Sequence, residues 1–330
     1  MFCSIGDPNV ELFFSIVDYR NNYFSSNNVR KVKEFFNGFH TSEQLIKWMK
    51  ERPKGISNIN EVDGSKEIIV VIPTGDADGK YARECRENIF EGLHIIFVES
   101  GGKDDFYFNY AHNCNIGIRK ALSYKPKWII LSNDDMYKID NVDNLRTQLA
   151  KLSPLDYGLI FSRPGLYHSI ENSIVEVNNL YYLFSKLSSL LKRNNKETIF
   201  NLMKKYNCKY ITLSRKKIKD VLISSFLGRI RMFYTLTSSF CIFSGVNILE
   251  TNGDIFDETY INGVEDWDIS IIFKCKPFKF TSIDYSIGDF IGETLGNSLV
   301  RSLRDVGNLL YFSNKIGSGQ LKLFCSLANV

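Results

Sequence analysis

Residues 67–165 alternate two hydrophobic patterns. EIIVVIPTG (67–75), HIIFVESGG (94–102), KWIILSNDD (127–135) and YGLIFSRPG (157–165) are continuous apolar runs that close on polar residues, Gly or Pro. Strands buried on both faces read this way, because neither face meets water. Between them, 79–93, 104–122 and a stretch near 140–151 suit helices. The last has Asp140 as its expected N-cap and Asp143 in the capping-box position. Strand–helix–strand alternation at this spacing predicts a parallel α/β sheet. The strand pattern resumes at SSFCIFSG (238–245).

The flanks differ. Residues 9–51 read as helical. Thr41 or Ser42 is the expected cap of a helix with Leu45, Trp48 and Met49 on one face, stopping at Pro53. GISNINEVDGS then reads as a linker. Residues 166–235 break the rhythm and are long, helix-prone and rich in Leu, Phe and Tyr. One more helix is expected around SLVRSLRDVGNLLYF, within 297–330. No internal repeat is visible.

Composition narrows the class. The chain has 330 residues, 44% of them hydrophobic and 14% aromatic, enough for a sizeable core, which excludes disorder as the main state. A net charge of +4 is too weak to imply nucleic acid. The total conceals an asymmetry: residues 180–232 hold 13 Lys and Arg against two acids, Glu197 and Asp220. A basic block sits inside an otherwise acidic chain. Three readings fit it. It is a helical subdomain with a solvated basic face, also available as a homo-oligomer contact. Or it lies on an anionic membrane surface, each cation adding about 1 kcal/mol. Or it binds nucleic acid, for which no recognised motif is present.

No signal-peptide order appears at the start, and no window approaches the ~18 apolar residues of a membrane span. The seven cysteines are odd in number and form no CxxC, which predicts reduced thiols in a cytoplasmic protein, peripheral at the inner membrane face if the basic block binds lipid. Cys and His never cluster at zinc-ligand spacing.

In open α/β sheets, ligands gather at the carboxyl ends of the strands. The first three runs end in Pro73-Thr74-Gly75, Glu99-Ser100-Gly101 and Asn133-Asp134-Asp135. The adjacent carboxylates of Asp134 and Asp135 repel each other, and a divalent cation would keep both ionised. Oxygen donors of this kind suit Mg²⁺ or Mn²⁺. The alternative is that one caps the next helix and the other is solvated. A second acidic stretch, 255–274, carries Asp257, Glu258, Glu265, Asp266 and Asp268 at the lip of a buried element. It offers either a general base for an acceptor hydroxyl or acids favoured by a helix dipole.

Taken in order, VVIPTG, IIFVESGG, AHNCNIG, ILSNDD in the place of a DxD motif, SSFCIFSG, FDETY and GVEDWDIS resemble a family 2 glycosyltransferase of the GT-A fold, over about residues 67–165 and 236–298. The resemblance implies a Rossmann-like α/β/α sandwich with a mostly parallel mixed sheet. It divides the chain into a helical N-terminal extension (1–62), a nucleotide-sugar half (63–165), a basic helical insertion (166–235), an acceptor half (236–300) and a helical tail (301–330). It implies a metal-dependent, inverting transfer from a UDP- or GDP-sugar to a glycan, lipid-linked or protein-linked hydroxyl. Pro73, Thr74, Glu99, Asn115, Gly117, Asn133 and Asp134 would hold the donor. Asp135, with Asp134, would bind Mn²⁺ or Mg²⁺. Asp266 would be the base and Glu265 would position it.

Two departures stand out. Asp289, in DFIGET, occupies the place of the metal-ligating His found in many relatives, with Gly292 and Thr294 retained. Ile272 stands where relatives often carry Arg, which leaves Lys274 or the basic block to meet the diphosphate. The competing expectations are a nucleotidyltransferase acting on sugar phosphates, which should have a basic Gly-rich loop where IPTGDADGK stands, and a binding protein with a degenerate transferase core. The presence of both acidic motifs argues against decay.

Overall fold

The computed structural model describes residues 28–101, 107–163, 171–177, 182, 197–214, 229–234, 239–290 and 299–321. The expected helix before residue 28, most of the basic block, and Gly292 and Thr294 lie outside these residues.

In chain order the strands are β1 (Asn58–Val62), β2 (Ser65–Thr74), β3 (Leu93–Glu99), β4 (Trp128–Ser132), β5 (Met136–Lys138), β6 (Tyr157–Phe161), β7 (Glu171–Glu176), β8 (Tyr210–Ser214), β9 (Arg229–Tyr234), β10 (Phe240–Ser244), β11 (Lys279–Ser282) and β12 (Ile287–Asp289). The helices are α1 (Val29–Asn37), α2 (Ser42–Glu51), α3 (Lys80–Glu84, continued by a π turn to Ile89), α4 (Tyr110–Leu122), α5 (Val142–Ala150), α6 (Glu197–Lys205), α7 (Glu265–Lys274) and α8 (Leu299–Gly317).

Seven strands form one mixed sheet in the order β1-β3-β2-β4-β10-β6-β11. β2, β3, β4, β6 and β11 run one way, while β1 and β10 run against them. The apolar runs are buried because both faces are covered, as expected for a Rossmann-like α/β fold. Ile68, Val70 and Ile72 of β2 pack with Ala82, Cys85 and Ile89, and with Val142, Leu145 and Leu149 of α5. Ile69 and Val71, on the opposite face, pack with Cys114 and Ile118 of α4 and with Ile269 and Phe273 of α7. Gly117 brings α4 close to the sheet: a Cβ there would sit 2.3 Å from Val71 Cγ1.

A third core joins α1, α2 and α8 to α6, β7 and Tyr260, Val264 and Ile271. Here Thr41 caps α2 through a full capping box with Gln44. Trp48 packs edge-on against Phe35 of α1, with ring centroids 4.9 Å apart.

Four expectations change. The linker contains β1, an edge strand with four of five residues exposed, so no apolar run announces it. It covers the open edge of β3, as edge protection requires. The segment 166–235 is not helical throughout: β8-β7-β9 form an antiparallel sheet. Its Lys205 donates to the Phe36 and Phe39 carbonyls at 3.3 and 3.0 Å, so this cation closes the end of α1. Asn141, not Asp140, caps α5, because the Ser286 N–H engages the Asp140 carboxylate at 2.7 Å. Finally, Cys275 is disulfide-bonded rather than reduced, while Cys85, Cys114, Cys208 and Cys241 are free and buried. Among the described residues no helix is long and apolar enough to cross a membrane.

Candidate functional site

β2 leads through α3, on one face, to β3; β3 leads through α4, on the other face, to β4 on the far side of β2. The strand order therefore reverses between β2 and β4, the place where such sheets bind ligands. β2 pairs with β4 only as far as Val71, whereas Pro73 and Thr74 pair with β3 alone. Pro73 can occupy this inner strand because the β4 ladder has already ended there. The gap lets Thr74 Oγ1 donate to Asp134 Oδ2 at 2.6 Å, across the reversal point.

Beyond β4 the chain turns into β5, which pairs with β12 so that Asp289 lies opposite Met136. Asp134, Asp135 and Asp289 are thus gathered at one strand end. Burial pushes Asp135 up to about 7, and the nearby Asp289 and Asp134 charges add to it. Burial also raises Asp289, against a hydrogen bond from Ser239, and Asp134, against the Thr74 bond. Asp135 is 4% exposed and its Oδ1 has no hydrogen-bond partner. A buried, unsatisfied oxygen between like charges fits a hard divalent cation. Among the described residues, no three His, Cys, Asp or Glu side chains are already arranged as a ligand set.

The second acidic motif stands at the same edge. Tyr110 OH donates to Asn133 Oδ1 at 2.9 Å, and the Glu265 charge reaches Tyr110 and Cys114 beneath it. The Asp266 charge reaches Cys241 of β10, which pairs with Leu131 of β4. Both acids lie in the first turn of α7, where the helix dipole favours them. Val264, just before them, has φ +75°, a left-handed conformation that a β-branched residue adopts at a cost of about 1–3 kcal/mol. Strain of this kind tends to collect at functional sites. Asp266 is half-buried, while Glu265 is buried with its Oε2 unpartnered.

Other expected residues are engaged elsewhere. Asn115 is 1% exposed. Its Oδ1 accepts from the Ile255 and Phe256 N–H groups, and its Nδ2 donates to the Phe256 carbonyl and Glu258. It shapes the FDETY segment and has no free valence for a nucleotide. Gly117 faces Val71 and Val98, not the strand ends. Both were expected at the donor; the geometry makes them packing positions. His112 pairs with Glu258 at 2.8 Å. Trp267 packs against Phe312 of α8. Lys274 closes α7 eight residues after Asp266, roughly 12 Å along the axis, too far to share a ligand with the first turn.

A cleft of about 390 Å³ opens over the ends of β2 and β3. Of the residues expected at the donor, Glu99 lines it, with its Oε2 accepting from the Ala77 N–H at 2.9 Å, while Pro73 and Thr74 do not; Gly75, which follows them, does. Lys54, Asn58 and Tyr107 also line it, and sequence reasoning missed them. Asn58 lies in the supposed linker and Lys54 just before it, and the polar pattern there carried no signal of a wall.

No protein-family model matches the chain, and no curated protein or solved structure matches it significantly.

Proposed function

We propose that the chain is a metal-dependent, inverting glycosyltransferase of the GT-A type, moving a sugar from a nucleoside-diphosphate sugar to an acceptor hydroxyl of a glycan or a lipid-linked or protein-linked acceptor. The observation that carries this is the gathering of Asp134, Asp135 and Asp289 at the strand-order reversal, with Thr74 on one side and Asp266 on the other. The ordered motifs that resemble family 2 glycosyltransferases support the same reading.

Asp135 and Asp289, with Asp134 beside them, would hold Mg²⁺ or Mn²⁺. When bound, the ion offsets the negative charge that develops on the leaving diphosphate. Thr74 fixes Asp134, so one carboxylate of the set is held before any ligand arrives. Asp266, at the mouth of α7, takes the proton from the acceptor hydroxyl as that oxygen bonds to the anomeric carbon and the nucleoside diphosphate departs with the other bonding pair. Glu265, anchored by its own N–H and that of Gly263, fixes the first turn from which Asp266 projects.

Thermal shift and sugar-nucleotide hydrolysis with UDP- and GDP-sugars, with and without Mn²⁺, test this reading. Stabilisation that requires both nucleotide and metal is expected; no stabilisation by any nucleotide would overturn it.

A further inference from the structure

α8 meets the second acidic motif through a line of polar side chains. Arg301, Asp305 and Asn308 stand at i, i+4 and i+7, on one face of the helix. Asn308, 0% exposed, is strapped to Ile261: its Oδ1 accepts from the Ile261 N–H at 2.8 Å and its Nδ2 donates to the Ile261 carbonyl at 2.9 Å. It also donates to the Asp305 carboxylate. Asp305 in turn lies against Gly263, where a Cβ would sit 2.8 Å from Asp305 Oδ1. Glycine is what lets a carboxylate approach the backbone this closely. The Gly263 N–H donates to the Glu265 carboxylate. Two carboxyls therefore flank one residue. The neighbours of that residue, Asn262 and Val264, are both left-handed, with φ of +54° and +75°. Asp266 follows two positions later.

Glu265 is buried and its Oε2 has no hydrogen-bond partner. A proton held by the pair satisfies that oxygen, whereas two ionised carboxyls at this spacing repel each other where water screens them poorly. The groups that face Glu265 are Tyr110 and Cys114 from α4, Tyr260, and Arg301 and Asp305 from α8. Burial keeps Tyr110, Cys114 and Tyr260 protonated. Arg301 and Arg304 face Asp305. Burial lifts Glu265 to about 7 and Asp305 to about 6, with Arg301 opposing it at both.

We propose that Asp305 is a positioning residue for Asp266: with Glu265 it holds one proton between two carboxyls, and this pair locks the left-handed turn that aims the base. The role given to Asp266 rests on the transferase reading above; the pair itself does not. While the proton is present, α8 and the first turn of α7 are joined across Gly263. Once it is lost, like charges drive them apart and Asp266 loses its aim.

Carbon-13 NMR of the side-chain carboxyls in the full chain tests the pair, with Glu265 identified by the resonance missing from Glu265→Gln. Coupled groups each report both protonation steps. The Glu265 resonance should therefore move in two steps in the native protein. In Asp305→Asn it should move in one step, with its midpoint lower by roughly one pH unit or more. A single native step, or a midpoint unmoved by Asp305→Asn, would overturn the pair and leave the donor and base readings intact. Sugar transfer tests the positioning. The native kcat should fall as pH rises through the second step, with the donor KM unchanged. Asp305→Ala should lose roughly 10²-fold in kcat, the usual scale for a misplaced catalytic group. Asp305→Asn, which keeps a donor for Glu265, should recover most of that loss and abolish the alkaline fall. An alkaline fall that persists in Asp305→Asn would overturn the positioning role, and this comparison stands even if Asp305→Ala does not fold. Absence of transfer by the native protein at every pH would remove the base assignment and this role with it, whatever the NMR shows.

Discussion

Lys315 Nζ lies 2.6 Å from Asp268 Oδ2, joining the last turn of α8 to the first turn of α7. The same ammonium lies 2.9 Å from Asp257 Oδ2, which also accepts from Tyr311 OH at 2.8 Å. One buried cation therefore ties the FDETY segment to the helix that carries Glu265 and Asp266. Burial pushes Asp257 up, but Lys315 and the Thr259 hydrogen bonds outweigh it and hold this carboxyl below its usual range. Burial dominates at Asp268 and lifts it to about 6 despite Lys315. Lys315→Met leaves two carboxylates buried without a counter-charge and should cost about 3–5 kcal/mol in urea unfolding. Adding Asp268→Asn should recover part of that loss, because less charge is then stranded.

Stability should depend on pH through Glu265. Burial lifts its carboxyl to about 7, with Asp305 adding and Arg301 opposing. A folded pKa above the unfolded 4.5 means that the native state holds the proton more tightly. The resulting stability is complete below about 4.5 and lost as pH rises through about 7. Glu265→Gln should therefore gain on the native protein between pH 5 and pH 8, read as the difference in urea midpoints; parallel midpoints at both pH values would place the titration elsewhere.

Gly117→Ala separates packing from ligand contact. Its Cβ would meet Val71 Cγ1 at 2.3 Å and Val98 Cγ2 at 2.8 Å. Overpacking of this kind should cost about 1–3 kcal/mol. Nucleotide affinity of the folded protein should be unchanged within roughly twofold, since remote sites act nearly independently.

Asp266→Asn should reduce sugar transfer by roughly 10²–10⁴-fold, the usual contribution of a general base. The nucleotide dissociation constant should hardly move. Loss of both together would assign the proton transfer to another group.

Asp289→Ala should raise the Mn²⁺ concentration needed for nucleotide-dependent thermal stabilisation by roughly tenfold or more. Asp140→Ala, a loop acid engaged by the Ser286 N–H, should leave that concentration unchanged while lowering the melting temperature.

The sheet was legible where both faces of a strand are buried, because continuous apolar runs such as 68–72 and 128–131 have no other stable use. β1 escaped notice since it pairs along one edge only and keeps polar residues on both faces. The antiparallel β7, β8 and β9 lie in a stretch whose leucines and lysines look helical, so tertiary pairing overrode local propensity. The acids of NDD and ED announced themselves by position at strand and helix ends. Lys54 did not, because it lines the cleft only where Ser57 and Arg52 fasten a polar segment to Asn113 and Phe108. Lys315 did not either: it meets Asp268 from a helix 47 residues further on, and no local spacing encodes such a contact.

The core that unites α1 and α2 with α8 also sets an order of assembly. During synthesis Phe35, Phe36 and Trp48 emerge long before Leu303, Leu310 and Phe312, their partners in that core. The Rossmann-like sheet can pair without α8, but the core that α1 and α2 share is completed only when α8 is made. Closing so long a loop is slow, and the early helices stay exposed to wrong partners meanwhile. The chain is therefore expected to need protection from chaperones while it is on the ribosome, and to acquire its Lys315 clamp only in the final step of folding.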